Sequence, residues 1–366
     1  MKPELGPELA TRLRESAEKA AAAGEPDREA LSVLRASGLL ATAVPRAHGG
    51  AGGDGAEVNR VVCEIAAVNP SAAIIAFQHF AVSARIAEWG TEAQKLRVLP
   101  RLADGSLLAA SSWSENGAGA AKQNLASTGV RGPGGDWVLN GAKTFTTGAA
   151  VADLYLVLVR TGAEAGPQSA YGAAGQTFFL VGADNPGLVP DLGLDLAGMR
   201  GSATGLVALD GCVVPDEDRL GPEGNAASVI AGVRETGATL GAVSAGIAQA
   251  AFDLALTHAR SRGLLELGAV RHRLVALATR LESVRATVER AGARTAADPG
   301  LATLHSKLHA AAAAEEICLD VARMLGSAGY VAGSAADRLL ADARAVGLMG
   351  PTNDLCRELV AMSWTA

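Results

Sequence analysis

Aromatic side chains are scarce in this chain, at 4% of 366 residues. That argues against an aromatic-rich β-sandwich. Hydrophobic residues still make up 49%, so alanine and glycine supply much of the packing, which suits closely packed helices. A basic surplus is also missing. The net charge is −6, and six of the 32 basic residues are lysine, so no nucleic-acid partner is expected, since that affinity rests on a basic surface. Cysteines are few and scattered: Cys63, Cys212, Cys318 and Cys356 form no CxxC pair and no metal spacing. They read as reduced core residues of a cytoplasmic protein, and no metal is expected. No run reaches the roughly 18 apolar residues of a membrane span. The N-terminal stretch MKPELGPELATRLRESAEKAAAAGEPD has early acids and no apolar core, so it is not read as a signal peptide. No GxGxxG follows a strand and opens a helix, and P-loop, GxSxG and HExxH motifs are missing.

What is present falls into three textures. Residues 1–108 read as helical. Leu5, Leu9 and Leu13 open one amphipathic helix, Leu31, Val33 and Leu34 belong to another, and a block from Val61 to Trp89 follows a Gly/Pro/His connector. Gly90-Thr91-Glu92 marks a helix end and a new cap. Over residues 109–220 the period changes, with six to eight strands expected. Asn140-Gly141 in DWVLNGAKTFTTG reads as a hairpin turn, and DLYLVLVR, TFFLV and Thr204 to Leu209 read as strands. Over residues 221–366 the helical period returns as a bundle. Val270, Leu274, Leu277, Leu281, Val284 and Val288 form a seam, and further helices are expected over 230–260, 303–325 and 335–348.

Four stretches carry candidate chemistry. SSWSENGAGA (Ser111 to Ala120) sets Gly117 and Gly119 beside small polar residues. Such a loop is ordinarily a plain turn, but it also lets backbone N–H groups approach a phosphate or a flat ring. In KTFTTG, Phe145 and Thr147 share one face by the strand period. HARSRGLLELGAVRHR gathers basic side chains at a helix junction, either as a solvated face or as a phosphate site. His258 and His272 stand too far apart in sequence to argue a metal pair. In GLMGPTND, Gly350-Pro351 is a hinge signal, Thr352 a helix cap, and Asp354 sits in the first turn beyond it. The tip of that loop has no side chain.

In this order the pieces resemble the acyl-CoA dehydrogenase family over nearly the whole chain. The carriers are GLLATAVPRAHGGAGG, WGTEAQKLRVLPRLADGSLLAASSWSENGAG, LNGAKTFTTGAAVADLYLVLVRT, AGMRGSATGLVALDGCVVPDEDRLG and MLGSAGY. The resemblance implies an α+β, mainly α fold: an N-terminal α-helical domain (1–108), a central β-barrel (109–220) and a C-terminal four-helix bundle (221–366). It implies FAD at a subunit interface of a homodimer or tetramer. Ser114 takes the position of a hydroxyl on the flavin ring, with Trp113 before it and Phe145 as the aromatic near the ring. Thr147 faces the N5 edge, and Arg262 reaches the neighbouring subunit's pyrophosphate, which a guanidinium suits. Gly119, Leu265, Arg323, Gly326, Thr352 and Asp354 complete the implied cofactor set.

The departures bear on the reaction. The serine usual near the pyrophosphate is Ala120, and a usual glutamine is Arg323. Gly237 stands where an arginine organises the substrate site. Gly350 stands where the family's glutamate removes the α-proton of the thioester. Some relatives carry that base on the helix near 236, where this chain has Thr236. Glu235 is the candidate base one residue away, and one residue on a helix turns a side chain by about 100°. Glu115 and His79 are weaker candidates for the site, for which structural roles are the ordinary reading. The pattern resembles the acyl-ACP dehydrogenases of hydroxymalonyl- and methoxymalonyl-ACP formation in polyketide biosynthesis. That implies oxidation at C3, aldehyde to acid, of a short acyl group on an acyl carrier protein (or on CoA). The alternatives are a flavin monooxygenase on the same fold, a conventional acyl-CoA dehydrogenase with a relocated base, and a flavin-free binding homologue.

Overall fold

Short acceptor side chains start four helices in succession after α1 (Pro7–Ala23). Asp27 caps α2 (Arg28–Ala36), Asp54 caps α3 (Gly55–Ala66) and Asn69 caps α4 (Pro70–Trp89). Thr91 and Gln94 form a reciprocal capping box on α5 (Glu92–Ala103). The architecture is that of a computed structural model, which describes residues 3–117, 124–162 and 175–364. Among the described residues no helix is long and apolar enough to cross a membrane, and all four cysteines are free thiols.

Eight strands follow: β1 (Ala109–Ser112), β2 (Thr128–Arg131), β3 (Trp137–Thr146), β4 (Leu154–Arg160), β5 (Gln176–Gly182), β6 (Leu188–Asp191), β7 (Gly205–Val214) and β8 (Arg219–Leu220). Their order is β6-β7-β3-β2-β4-β5-β8, with β1 parallel to β4. Side chains alternate along β4. Tyr155, Val157 and Val159 meet Trp137, Leu139, Val207 and Leu209 of β3 and β7, so the sheet folds over on itself. Leu154, Leu156 and Leu158 pack outward on Val82 and Ile86 of α4 and on Leu99 and Leu102 of α5.

Asn140-Gly141 is not a hairpin turn. β3 runs straight through it, and the ladder with β7 slips between Leu139 and Gly141. Bulges and tight hairpins both call for a glycine that accepts positive φ, and Gly141 has φ 141. The neighbour Asn140 accepts from Gly211 N at 2.9 Å, bracing the bulge.

The C-terminal part comprises α6 (Ala226–Glu235), α7 (Gly241–Ser261), α8 (Gly268–Ala293), α9 (Pro299–Met324), α10 (Ala335–Leu348) and α11 (Asn353–Met362). The single helix expected over 230–260 is two helices. The chain breaks between Glu235 and Gly241, and Gly237 there has φ 77, with its missing Cβ position 2.4 Å from Ala291 O. No side chain fits that approach. The seam of α8 is buried at Leu274, Leu277, Leu281, Val284 and Val288. One core joins α7, α8, α9 and α10 to α3 and α4, while α6 packs with α4, α5 and the sheet and α11 packs on Leu304 of α9.

Candidate active site

The end of β3 is where backbone strain gathers. Its pairing with β7 slips between Lys143 and Thr146, and Phe145 inside that slip has φ 52. Its ring is 64% exposed while Lys143 and Thr146 on either side are buried. The expectation that Phe145 and Thr147 share a face therefore fails: the bulge breaks the period of two, and Thr147 lies beyond the strand end and is buried. Met199 and Ala203, both at φ 49, belong to the segment facing it. A non-glycine residue in this region costs about 1–3 kcal/mol and persists only where its surroundings over-determine it.

Those surroundings are hydroxyls and amides. Thr204 donates to Thr147 Oγ1 at 3.1 Å and lies 2.8 Å from Ser202 Oγ. Thr146 and Ser112 hydroxyls meet at 3.0 Å. Gly148 N donates to Ser202 O and Ala149 N to Ala203 O. Thr144 N donates to Ser114 O at 2.9 Å, tying the loop after β1 to β3. A buried ion pair reinforces the tie: Lys143 Nζ lies 2.6 Å from Glu115 Oε1, and Glu115 also accepts from Ala126 N and Ser127 N. Glu115 is thus a structural clamp. Beside it Trp113 packs on Phe178 at 5.0 Å between ring centres, and its buried indole N–H has no hydrogen-bond partner among the described residues.

The third component is the loop between α10 and α11. Asp342 of α10 accepts from Met199 N, which couples the bundle to the strained segment. Thr352 caps α11 through Leu355 N at 3.2 Å, and the exposed Asp354 pairs with Arg357. At Gly350 an added Cβ would meet nothing within 4 Å, so the tip faces open space.

The other expected residues lie elsewhere. Arg262 caps the end of α7 and is exposed. Leu265 sits in the next turn, its carbonyl accepting from Arg271. Arg323, also exposed, pairs with Asp320 near the end of α9, and Gly326 follows with φ 63. No described contact joins these four to Phe145. Gly119 and Ala120 lie outside the described residues. Glu235, the candidate base, ends α6 with its carboxylate 3.5 Å from Arg234 Nε, turned toward Gly300 at the start of α9. That placement is an ion pair packed at a helix start. His79 is packing as well: fully buried, it accepts from Ala109 N at 3.3 Å, and burial lowers its pKa to about 4.

Three family models cover the chain almost end to end. They are the acyl-CoA dehydrogenase N-terminal domain over residues 8–106, the middle domain over 110–212 and the C-terminal domain over 228–365. The chain belongs to the acyl-CoA dehydrogenase family. A cyclohexane-1-carbonyl-CoA dehydrogenase of Geobacter metallireducens is 32% identical over 362 residues, spanning 96% of this chain and 92% of that one. An L-prolyl peptidyl-carrier protein dehydrogenase of Pseudomonas fluorescens is 29% identical over 337 residues, or 89% and 87%. The solved structure of FkbI, for biosynthesis of the methoxymalonyl extender unit of a polyketide, superposes with a TM-score of 0.85 at 24% identity, covering 98% of each chain.

As a member of the family the chain is an FAD-dependent oxidoreductase. Its residues fit that cofactor. A ring held out on strained backbone at Phe145 and an unpartnered indole N–H at Trp113 are costly unless something flat and polar meets them. Ser112, Lys143, Ser202, Thr204 and Asp342 were missed by sequence reasoning. For Ser112 and Lys143 the signal was a polar residue at an inward strand position; Ser202, Thr204 and Asp342 lie off the strands and carried none.

Proposed function

We propose that this enzyme oxidises a short acyl group, carried as a thioester on an acyl carrier protein, from aldehyde to acid at C3. Hydroxymalonyl-carrier protein would be the product, an intermediate toward methoxymalonyl units. The observation that carries the reading is the bare tip at Gly350, where an added Cβ would meet none of the described residues within 4 Å. An α-proton is removed only by a base within hydrogen-bond reach, and this loop presents none. An aldehyde hydrate needs no such base, because its O–H proton leaves to water. Bound FAD supplies the hydride acceptor.

The carrier is argued from Gly237. An arginine of the substrate site is replaced there by a glycine that the packing against Ala291 enforces, which fits a substrate that brings a pantetheine arm without a CoA nucleotide. The peptidyl-carrier protein dehydrogenase above supports the same choice. Phe145, Trp113 and Ser114 are proposed to hold the flavin ring, with Thr147 at its reactive edge, positioned by Thr204 and Ser202. Arg262, Leu265, Arg323 and Gly326, with Thr352 and Asp354, are proposed to serve the pyrophosphate and adenosine half across a homodimer or tetramer interface. A cytoplasmic location goes with this reading.

Two results test it. Purified protein should be yellow and reduce a dye acceptor under argon when given a semialdehyde-loaded carrier protein. A colourless protein that takes up no FAD, or oxidation that stops without O₂, would remove the reading. Glu235→Gln should leave kcat nearly unchanged in that assay. A loss approaching the roughly 10²–10⁴-fold that removal of a general base causes would instead make Glu235 the base.

A further inference from the structure

Lys307 lies in the middle of α9, 3% exposed, yet it carries an ammonium. Burial, the dominant influence, lowers its pKa to about 8, opposed by Cys356 and Asp354 and assisted by Arg357. A charge in such a place must find acceptors, and it finds two. Its Nζ donates to Asn353 Oδ1 at 2.7 Å and to Gly347 O at 3.3 Å. Gly347 belongs to the last turn of α10, where a carbonyl has no partner within the helix, and Asn353 begins α11. The two feet of the Gly350 loop thus meet over one side chain. They are close enough that a Cβ at Gly347 would sit 3.4 Å from Asn353 Nδ2.

We propose that Lys307 is a positioning residue that pins both feet of the α10–α11 loop and thereby fixes where Gly350, Thr352 and Asp354 stand. The inner side of the loop is held separately. Cys356 N donates to Thr352 O at 2.9 Å, and the Cys356 thiol lies 3.6 Å from Pro351 O. The tip alone is unheld. Neither the bonds to Lys307 nor their consequence for the loop depends on the substrate. Only the consequence for FAD rests on the functional reading above.

Cys356 supplies the readout. Its thiol is fully buried beneath the loop and becomes reactive only when the loop opens. Each cysteine is alkylated with iodoacetamide in the FAD-loaded enzyme and quantified by peptide mass spectrometry. Lys307→Met should raise the labelling rate of Cys356 by about tenfold, an opening that local rather than global unfolding produces. Cys212 and Cys318, buried elsewhere, should keep their native rates. Asn353→Ala removes one acceptor and should give the same selective rise, and Lys307→Arg should restore protection. An unchanged Cys356 rate, or a parallel rise at all three cysteines, would overturn the proposal. A selective rise with undiminished FAD affinity would leave the pin standing and withdraw only the assignment of Thr352 and Asp354 to the cofactor.

Discussion

Lys143→Met is expected to destabilise the fold by roughly 3–5 kcal/mol, the loss found when one partner of a buried ion pair is removed. The side chain of Lys143 is fully buried and that of Glu115 is 6% exposed, 2.6 Å apart. Without the ammonium a carboxylate remains in the protein interior with two backbone amides and no counter-charge. The effect depends on pH in a defined direction. Burial pushes the Glu115 pKa up, but the Lys143 charge, with the bonds from Lys143, Ser127 and Ala126, prevails and leaves it lowered. A lowered carboxylate contributes stability above its unfolded pKa and loses it as pH falls through the folded one. The native enzyme therefore loses this contribution in acid. In Lys143→Met the deficit should be greatest at neutral pH and shrink in acid, where Glu115 takes up a proton. Urea unfolding at several pH values measures both. A deficit below about 1 kcal/mol, the range of solvated pairs, would show that water reaches the site.

On the proposed reading, Gly350→Glu should add α,β-desaturation of a simple acyl-CoA thioester to what the enzyme does. Room exists for the side chain, since nothing lies within 4 Å of the added Cβ and the backbone there is not left-handed. Thr352 and Cys356 keep the loop in place beside it. A general base in reach of its proton contributes roughly 10²–10⁴-fold, so a gain of that size over the native background is expected in anaerobic dye reduction with butyryl-CoA. No gain in a variant that still retains FAD would mean that the loop tip does not face the substrate's α-carbon.

In the first third the local signals give part of the answer: the apolar period marks α2 and a cap marks α5, but the block from Val61 to Trp89 is two helices, α3 and α4, parted where Asn69 caps Pro70. What the chain conceals is set by contacts between distant parts. The apolar period runs on past Gly237, and only the approach of Ala291 O shows that the helix breaks there. Asn140-Gly141 is suited to a turn and to a bulge alike, and the partner strand β7 decides between them. The bulge at Phe145 reverses the face assignment for the same reason. Among the site residues, the bare Gly350 and the cap at Thr352 were legible by position. Lys143 with Glu115, 28 residues apart, and Lys307 with Asn353, 46 apart, were not. Nothing local distinguishes a buried lysine from a solvated one.

On the proposed function, the empty position at Gly350 goes with an oxidation without α-proton removal, on a carrier-bound acyl group. A carrier protein loaded with a three-carbon semialdehyde thioester, incubated with the FAD-loaded enzyme and an electron acceptor in isotopically heavy water, tests it by intact mass. The expected product is heavier by one oxygen atom drawn from water, with two electrons passed to the acceptor for each acid formed. A product that has lost two hydrogens without gaining oxygen, or whose new oxygen comes from O₂, would contradict it.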